Sequence, residues 1–244
     1  MFGGSDGLNS YKQDLWRLTI SGNRATWVNL TPSTTTPTSW PSARYGSVSW
    51  ADNSGNNYLF GGSDGSYKQD LQKLTVSGNT ATWVNLTPYP IPPSWPSARY
   101  RSVGWRDSSD NYYLFGGWNG SYLNDLQKLN VSGNTATWVN LTPVPTPAIW
   151  PPQINDNTSW EDNSGNKYFF GGSAGFLIPN NKQDLWKLTV SGNTATWVKL
   201  TPNSLPTFWP SIRSGSVAWT DKDGKIYLFG GDNGTSTLND LFML

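Results

Sequence analysis

A propeller of four-stranded antiparallel β-blades is the fold this sequence predicts, on three observations. The first is repetition. Gly-Gly doublets fall at Gly3-Gly4, Gly61-Gly62, Gly116-Gly117, Gly171-Gly172 and Gly230-Gly231, spaced by 58, 55, 55 and 59 residues, and a near-fixed period is the signature of a repeat architecture. The second is that each unit reads as four short strands divided by turn residues, with no capped helical period. The third is burial. A lone sheet of this size cannot cover both its faces, so successive sheets must cover one another, and their radial repetition is a ring of blades.

The second unit shows how each element arises. Tyr45-Gly46-Ser47-Val48-Ser49-Trp50 reads as a strand, here called A, and a polar Asn/Ser/Gly turn leads from it into Asn57-Tyr58-Leu59-Phe60, strand B, which ends at the doublet. After a Ser-Asp-Gly loop, Leu71-Gln72-Lys73-Leu74-Thr75-Val76 alternates apolar and polar residues as a half-buried strand C does. Ser77-Gly78-Asn79 then turns the chain into strand D, Ala81-Thr82-Trp83-Val84-Asn85-Leu86. A connection rich in proline, Thr87 to Pro96, follows. Prolines without N–H groups suit a segment that runs outside the hydrogen-bonded ladder.

The whole chain, 1–244, is expected to be one domain of units at about 2–59, 60–114, 115–169 and 170–228 with a partial unit 229–244. Strands A and D occur four times, B and C five times. A closed four-bladed ring would strand the apolar segments Ile226 to Gly231 and Leu241 to Leu244 with free edges, which is unfavourable. Five blades with three-stranded first and last blades are therefore favoured, with a four-bladed ring or part of a larger propeller as alternatives, and self-association through the surplus terminal strands as a further way to cover them. Met1 lies inside a repeat, where other units have Tyr58-Leu59-Phe60 or Tyr113-Leu114-Phe115, so the chain is expected to be a fragment or a reading frame that starts late.

Composition removes several function classes. The chain has no Cys and no His, so Ser-His-Asp and Cys-His catalysis, thiolate or imidazole metal sites and disulfides are excluded. No metal and no cofactor is expected, and any catalysis would rest on carboxylates, Lys, Tyr or a hard cation. Net charge is +1 with 14% charged residues, spread rather than clustered, which gives no footprint for nucleic acid. No apolar run of membrane-spanning length occurs and the start MFGGSDG has no leader character. A Cys-free, charge-poor sequence rich in Thr, Asn, Ser and Gly leans towards a secreted or cell-surface protein.

The recurring residues resemble the kelch repeat of β-propellers, in its bacterial and extracellular variants. The resemblance covers essentially the whole chain. It rests on apolar residues leading into Gly-Gly, Arg-x-Gly on strand A (Arg44-Tyr45-Gly46, Arg213-Ser214-Gly215), Asp-Leu opening strand C, and a strand D tryptophan at Trp27, Trp83, Trp138 and Trp197. It implies that strand A is innermost and that the protein is a non-enzymatic scaffold whose loops meet a protein partner. The kelch-type galactose oxidases are the nearest catalytic relatives, but their copper centre uses His and a Cys-Tyr crosslink, which this chain cannot supply.

Recurring residues have structural explanations. Asp14, Asp70, Asp125, Asp184 and Asp240 are expected to accept backbone N–H bonds in turns, and the strand D tryptophans to pack blade on blade. Function is sought where the repeat breaks. Strand A becomes Gln153-Ile154-Asn155-Asp156-Asn157-Thr158 in the fourth unit, and Arg101 replaces the strand A glycine in the third. Arg101 and Asp156 are thus equivalent positions in successive units, expected to face one another either as an ion pair plugging the channel or as a polar pocket with Arg44, Arg99, Arg213, Tyr45 and Tyr100. The loop containing Phe176, Leu177 and Ile178 is apolar where other units are polar, which marks a partner contact or a loop folded over its own blade. Trp118 stands where other units have Ser or Asp, and beside the linker tryptophans Trp40, Trp95, Trp150 and Trp209 it offers an indole to a sugar ring or a protein. A glycan-binding propeller is therefore the alternative to a protein-binding one.

Overall fold

The computed structural model of the protein describes residues 1–7, 10–33, 35–175 and 180–244. Its regular structure is eighteen strands in five antiparallel sheets, each a meander in chain order. Blade 1 holds β1 (Phe2–Ser5), β2 (Tyr11–Ser21) and β3 (Arg24–Asn29). Blade 2 holds β4 (Val48–Ala51), β5 (Asn57–Phe60), β6 (Leu71–Ser77) and β7 (Thr80–Asn85). Blade 3 holds β8 (Val103–Arg106), β9 (Tyr112–Trp118), β10 (Tyr122–Ser132) and β11 (Thr135–Asn140). Blade 4 holds β12 (Thr158–Glu161), β13 (Lys167–Phe170), β14 (Leu185–Ser191) and β15 (Thr194–Lys199), and blade 5 holds β16 (Val217–Thr220), β17 (Ile226–Asp232) and β18 (Thr237–Met243). Blade 1 thus consists of strands B, C and D and blade 5 of A, B and C, the arrangement favoured from the strand count. The A strands of neighbouring blades approach one another, β4 beside β8 and β12 beside β16, which makes them innermost.

Two local devices shape a blade. In the A–B turn, Asp52 accepts the N–H groups of Ser54 (2.9 Å) and Asn56 (2.8 Å), the Asn56 amide (2.7 Å) and the Tyr58 hydroxyl (3.0 Å). Asp107 and Asp162 repeat this with Asn111 and Tyr113, and with Asn166 and Tyr168. Burial works to raise these carboxyls, but the hydrogen bonds outweigh it and hold all three below the ordinary value. The second device is the Gly-Gly doublet. Gly61 has φ +69° and its Cβ would lie 2.5 Å from the Arg99 carbonyl oxygen, so only glycine lets strand B come this close to the next unit. Gly62 then donates its N–H to that same oxygen at 2.8 Å.

The core sits between blades. Each junction has its own apolar cluster, and at the first three a D-strand tryptophan lies against the B-strand phenylalanine of the blade before it. The ring centroids are 5.1 Å apart for Trp83 and Phe2, 5.1 Å for Trp138 and Phe60, and 5.0 Å for Trp197 and Phe115. The linker tryptophans close the same junctions from outside the sheets. Trp40, Trp95 and Trp150 pack edge-on to Trp83, Trp138 and Trp197, and their indole N–H groups donate to the backbone oxygens of Gln13, Gln69 and Asn124.

Candidate functional site

The strand A leader holds one residue per blade in the left-handed region. Gly46 and Gly215 have φ +66° and +64°, and the residues replacing glycine in the two blades between them keep that conformation, Arg101 at +55° and Asp156 at +51°. A belt of backbone hydrogen bonds enforces it. Arg101 N–H donates to Gly46 O (2.7 Å), Asp156 N–H to Arg101 O (3.2 Å) and Gly215 N–H to Asp156 O (2.8 Å). Non-glycine residues pay roughly 1–2 kcal/mol to sit there, and such strain concentrates at functional sites.

The belt brings the two side chains together. Arg101 Nη1 lies 3.0 Å from Asp156 Oδ2, both groups partly open to solvent. Burial raises the Asp156 carboxyl above its ordinary value, against the pull of the Arg101 charge and hydrogen bond. The guanidinium also stands 5.3 Å from the Tyr100 ring centroid and 5.9 Å from that of Tyr45, within cation–π range. Burial, opposed by the Arg101 charge and reinforced by Tyr45, pushes the Tyr100 hydroxyl up to about 12.

From this pair an aromatic strip runs across three blades. Tyr11 stacks on Tyr45 at 5.5 Å, Tyr45 meets Tyr100 edge-on at 5.4 Å, and Tyr67 stacks on Tyr100 at 5.6 Å. The Trp118 indole N–H donates to the Tyr67 hydroxyl at 2.9 Å, and its ring sits edge-on to Tyr122 at 4.5 Å. Beyond Asp156 the character of the rim changes from aromatic to amide. Asn155 and Asn157 are buried, and among the described residues their Oδ1 atoms and Ser216 Oγ have no hydrogen-bond partner. Asn181 donates its amide to Asp232 O at 2.7 Å.

Arg44, Arg99 and Arg213, expected to join Arg101 and Asp156 in a pocket, lie instead beneath this surface, and Arg44 borders a separate cavity beside β1. All three are buried. Arg99 forms a fork to Asp125 (2.6 and 2.8 Å) and also donates to Gly116 O and Ser97 O. Arg213 does the same with Asp240, and Arg44 pairs with Asp70. These aspartates therefore serve as counter-ions that tie strand C to strand A of their own blade, rather than acceptors for turn N–H groups. The fourth unit explains its own departure. Ile154 stands where the arginine would be, buried against its neighbours, and Asp184 pairs instead with Lys199 at 2.9 Å, in the position that Asn85 and Asn140 hold in other units. Tyr11, Tyr67 and Tyr122 were not singled out from the sequence, although the segments Ser10-Tyr11, Ser66-Tyr67 and Ser121-Tyr122 repeat in three units and are lost in the last two. Phe176, Leu177 and Ile178 lie outside the described residues.

Two cavities border the rim and the outer face. One of about 480 Å³ lies beside β1, between blades 1 and 2, with Phe2, Leu15, Tyr45, Ser47, Leu59 and Leu74 on its wall. A smaller one of about 230 Å³ lies between blades 3 and 4 near Asp107 and Lys167. Neither is lined by Arg101, Tyr100 or Trp118.

No protein-family model matches the chain. It is 30% identical over 177 residues to Kelch domain-containing protein 10 of Xenopus laevis, and to the protein of that name in Xenopus tropicalis, across 71% of this chain and 40% of each relative. That identity falls on a chain whose five sheets are joined by the doublets and tryptophans described above. The repeat is of the kelch type. This kelch-type propeller spans less than half the length of the curated relatives it matches. A fungal alcohol oxidase solved in complex with copper superposes on 91% of the chain and 44% of the oxidase, with TM-score 0.58 and 14% identity, a likeness of fold. The oxidase's metal has no counterpart in the donor set of the kelch-type chain, which lacks His and Cys, and among the described residues no three Asp or Glu gather as a metal site.

Proposed function

We propose that this kelch-type propeller is a non-enzymatic interaction scaffold and that its inner rim, centred on Arg101, Asp156 and the tyrosine strip, receives a protein partner. The observation that carries the reading is the pair of non-glycine residues held at positive φ in adjacent blades. Two glycines would build the belt with less strain, as they do in blades 2 and 5, so the belt itself does not call for these side chains. The strip from Tyr11 to Trp118 spans three blades, a length that suits a polypeptide. Tyr, Trp and Arg are also the residues that dominate protein-binding surfaces.

The test restores the repeat. A library of displayed random peptides is selected on the wild-type protein, and the enriched peptides are titrated against Arg101→Gly/Asp156→Gly and against Trp118→Ala. The double variant should melt no lower than wild type and bind at least tenfold more weakly. Equal binding by the double variant, or no enrichment at all, overturns the reading. A glycan is the second reading, supported by the stacked rings of Tyr67 and Tyr100 beside Trp118. Sugar titrations of tryptophan fluorescence, with Trp118→Ala as control, decide it; no response to any sugar removes it.

A further inference from the structure

Each junction between complete blades, 2 with 3 and 3 with 4, joins two unlike faces. One blade offers the face carrying its A-strand tryptophan, B-strand phenylalanine and first C-strand leucine. The next offers the face carrying its second C-strand leucine and D-strand tryptophan. Where both faces are present they bury one another. Trp138 and Trp197 are each 4% exposed, and Phe60 and Phe115, which they meet, each 1%.

The two ends of the chain break this rule in complementary ways. Blade 1 leaves its tryptophan-bearing face open, with Trp27 50% exposed and Leu18 and Ile20 open beside it. Blade 5 leaves its phenylalanine-bearing face open, with Phe229 44% exposed and Val217, Trp219, Leu241 and Met243 around it. These residues occupy the repeat positions that form the buried core elsewhere: Trp27 corresponds to Trp83, Leu18 to Leu74, Phe229 to Phe60, Trp219 to Trp50 and Leu241 to Leu71. Apolar patches of this kind mark association sites. We infer that the occupant is a second copy of this chain, stacked head to tail, blade 5 of one on blade 1 of the next. The argument is complementarity. Two phenylalanine faces do not match, nor do two tryptophan faces, whereas one of each repeats the interlock found inside the chain. Such a contact is heterologous, so it leaves one face of each kind free and extends with concentration unless it closes on itself.

The test uses two blocked forms of the full chain, Trp27→Glu and Phe229→Glu, both at half-exposed positions where a charge leaves the blade itself intact. Light scattering and sedimentation are recorded over a hundredfold range of concentration. Wild type should rise above the monomer mass of 27.0 kDa, each variant alone should remain at it, and an equimolar mixture of the two should give a particle of twice that mass. The mixture pairs because Trp27→Glu keeps the phenylalanine face and Phe229→Glu keeps the tryptophan face. A wild type that stays monomeric, a single variant that still associates, or a mixture that does not pair overturns the inference. Leu18→Glu and Leu241→Glu repeat the experiment on the same two faces should either first variant fail to fold.

Discussion

Replacing Arg99 by isoleucine reproduces in blade 3 what the sequence already does at Ile154 in blade 4, and the structure sets the cost. Arg99 is buried, and its guanidinium satisfies both oxygens of Asp125 and the backbone oxygens of Gly116 and Ser97. Removing one partner of a buried pair costs about 3–5 kcal/mol. Asp125 keeps the Gln127 amide at 2.8 Å and Gly116 O keeps the Ser102 hydroxyl at 3.0 Å, so the low end applies, about 3 kcal/mol. For a chain of this size that lowers the melting temperature by about 6–12 °C. Adding Asn140→Lys supplies the counter-ion that Lys199 gives Asp184. That pair is partly exposed, so it returns no more than about 1 kcal/mol, and it sacrifices the bond from Thr142 N–H to Asn140 Oδ1. A double-mutant cycle followed by circular dichroism isolates the coupling. A loss under about 1 kcal/mol for Arg99→Ile, or zero coupling with Asn140→Lys, would refute the account of the Arg–Asp tie.

Further perturbations probe other parts of the structure. Trp138→Ala should destabilise by about 3–5 kcal/mol, whereas Trp27→Ala, at the same repeat position but half exposed, should cost about 1 kcal/mol or less in dilute solution; parallel urea melts compare them. Asp52, Asp107 and Asp162 are held below the ordinary carboxyl value in the folded state, so their contribution is complete above the unfolded value of about 3.9 and is lost as pH falls through the folded one. Urea midpoints should therefore drop below about pH 4, and Asp107→Asn should flatten that dependence, with an unchanged slope counting against the turn staple. Arg101→Met removes the cation that lowers Asp156, so the Asp156 carboxyl should titrate higher by NMR. The variant should lose more stability at pH 7 than at pH 4, and equal losses at the two values would show that the charge of Asp156 plays no part.

The blade was legible in the sequence because its causes are local and are written five times. Doublets, Asp-Leu and Ser-Gly-Asn turns recur at near-fixed spacing, and the strand count favoured three-stranded first and last blades over a closed four-bladed ring. The Arg101–Asp156 meeting followed from equivalent positions in successive units. The Arg99–Asp125 tie was missed because its partners are 26 residues apart, although Ile154 and Lys199 changing together in one unit was a trace of it. The tyrosine strip escaped for a related reason: Tyr67 and Tyr100 lie in different strands of different blades, and nothing in either segment says they stack.

The sequence by itself determined that alternating apolar strands must be covered by neighbouring sheets, since period and burial are properties of the chain. Only the tertiary structure decided which repeated residues are spent inside the fold, as Arg44, Arg99 and Arg213 are, and which stand on its rim or its ends, as Arg101, Trp27 and Phe229 do. Identical positions in a repeat have identical surroundings only if both neighbours are present. Exposure is set by the adjacent blade, and that is a fact of three-dimensional packing.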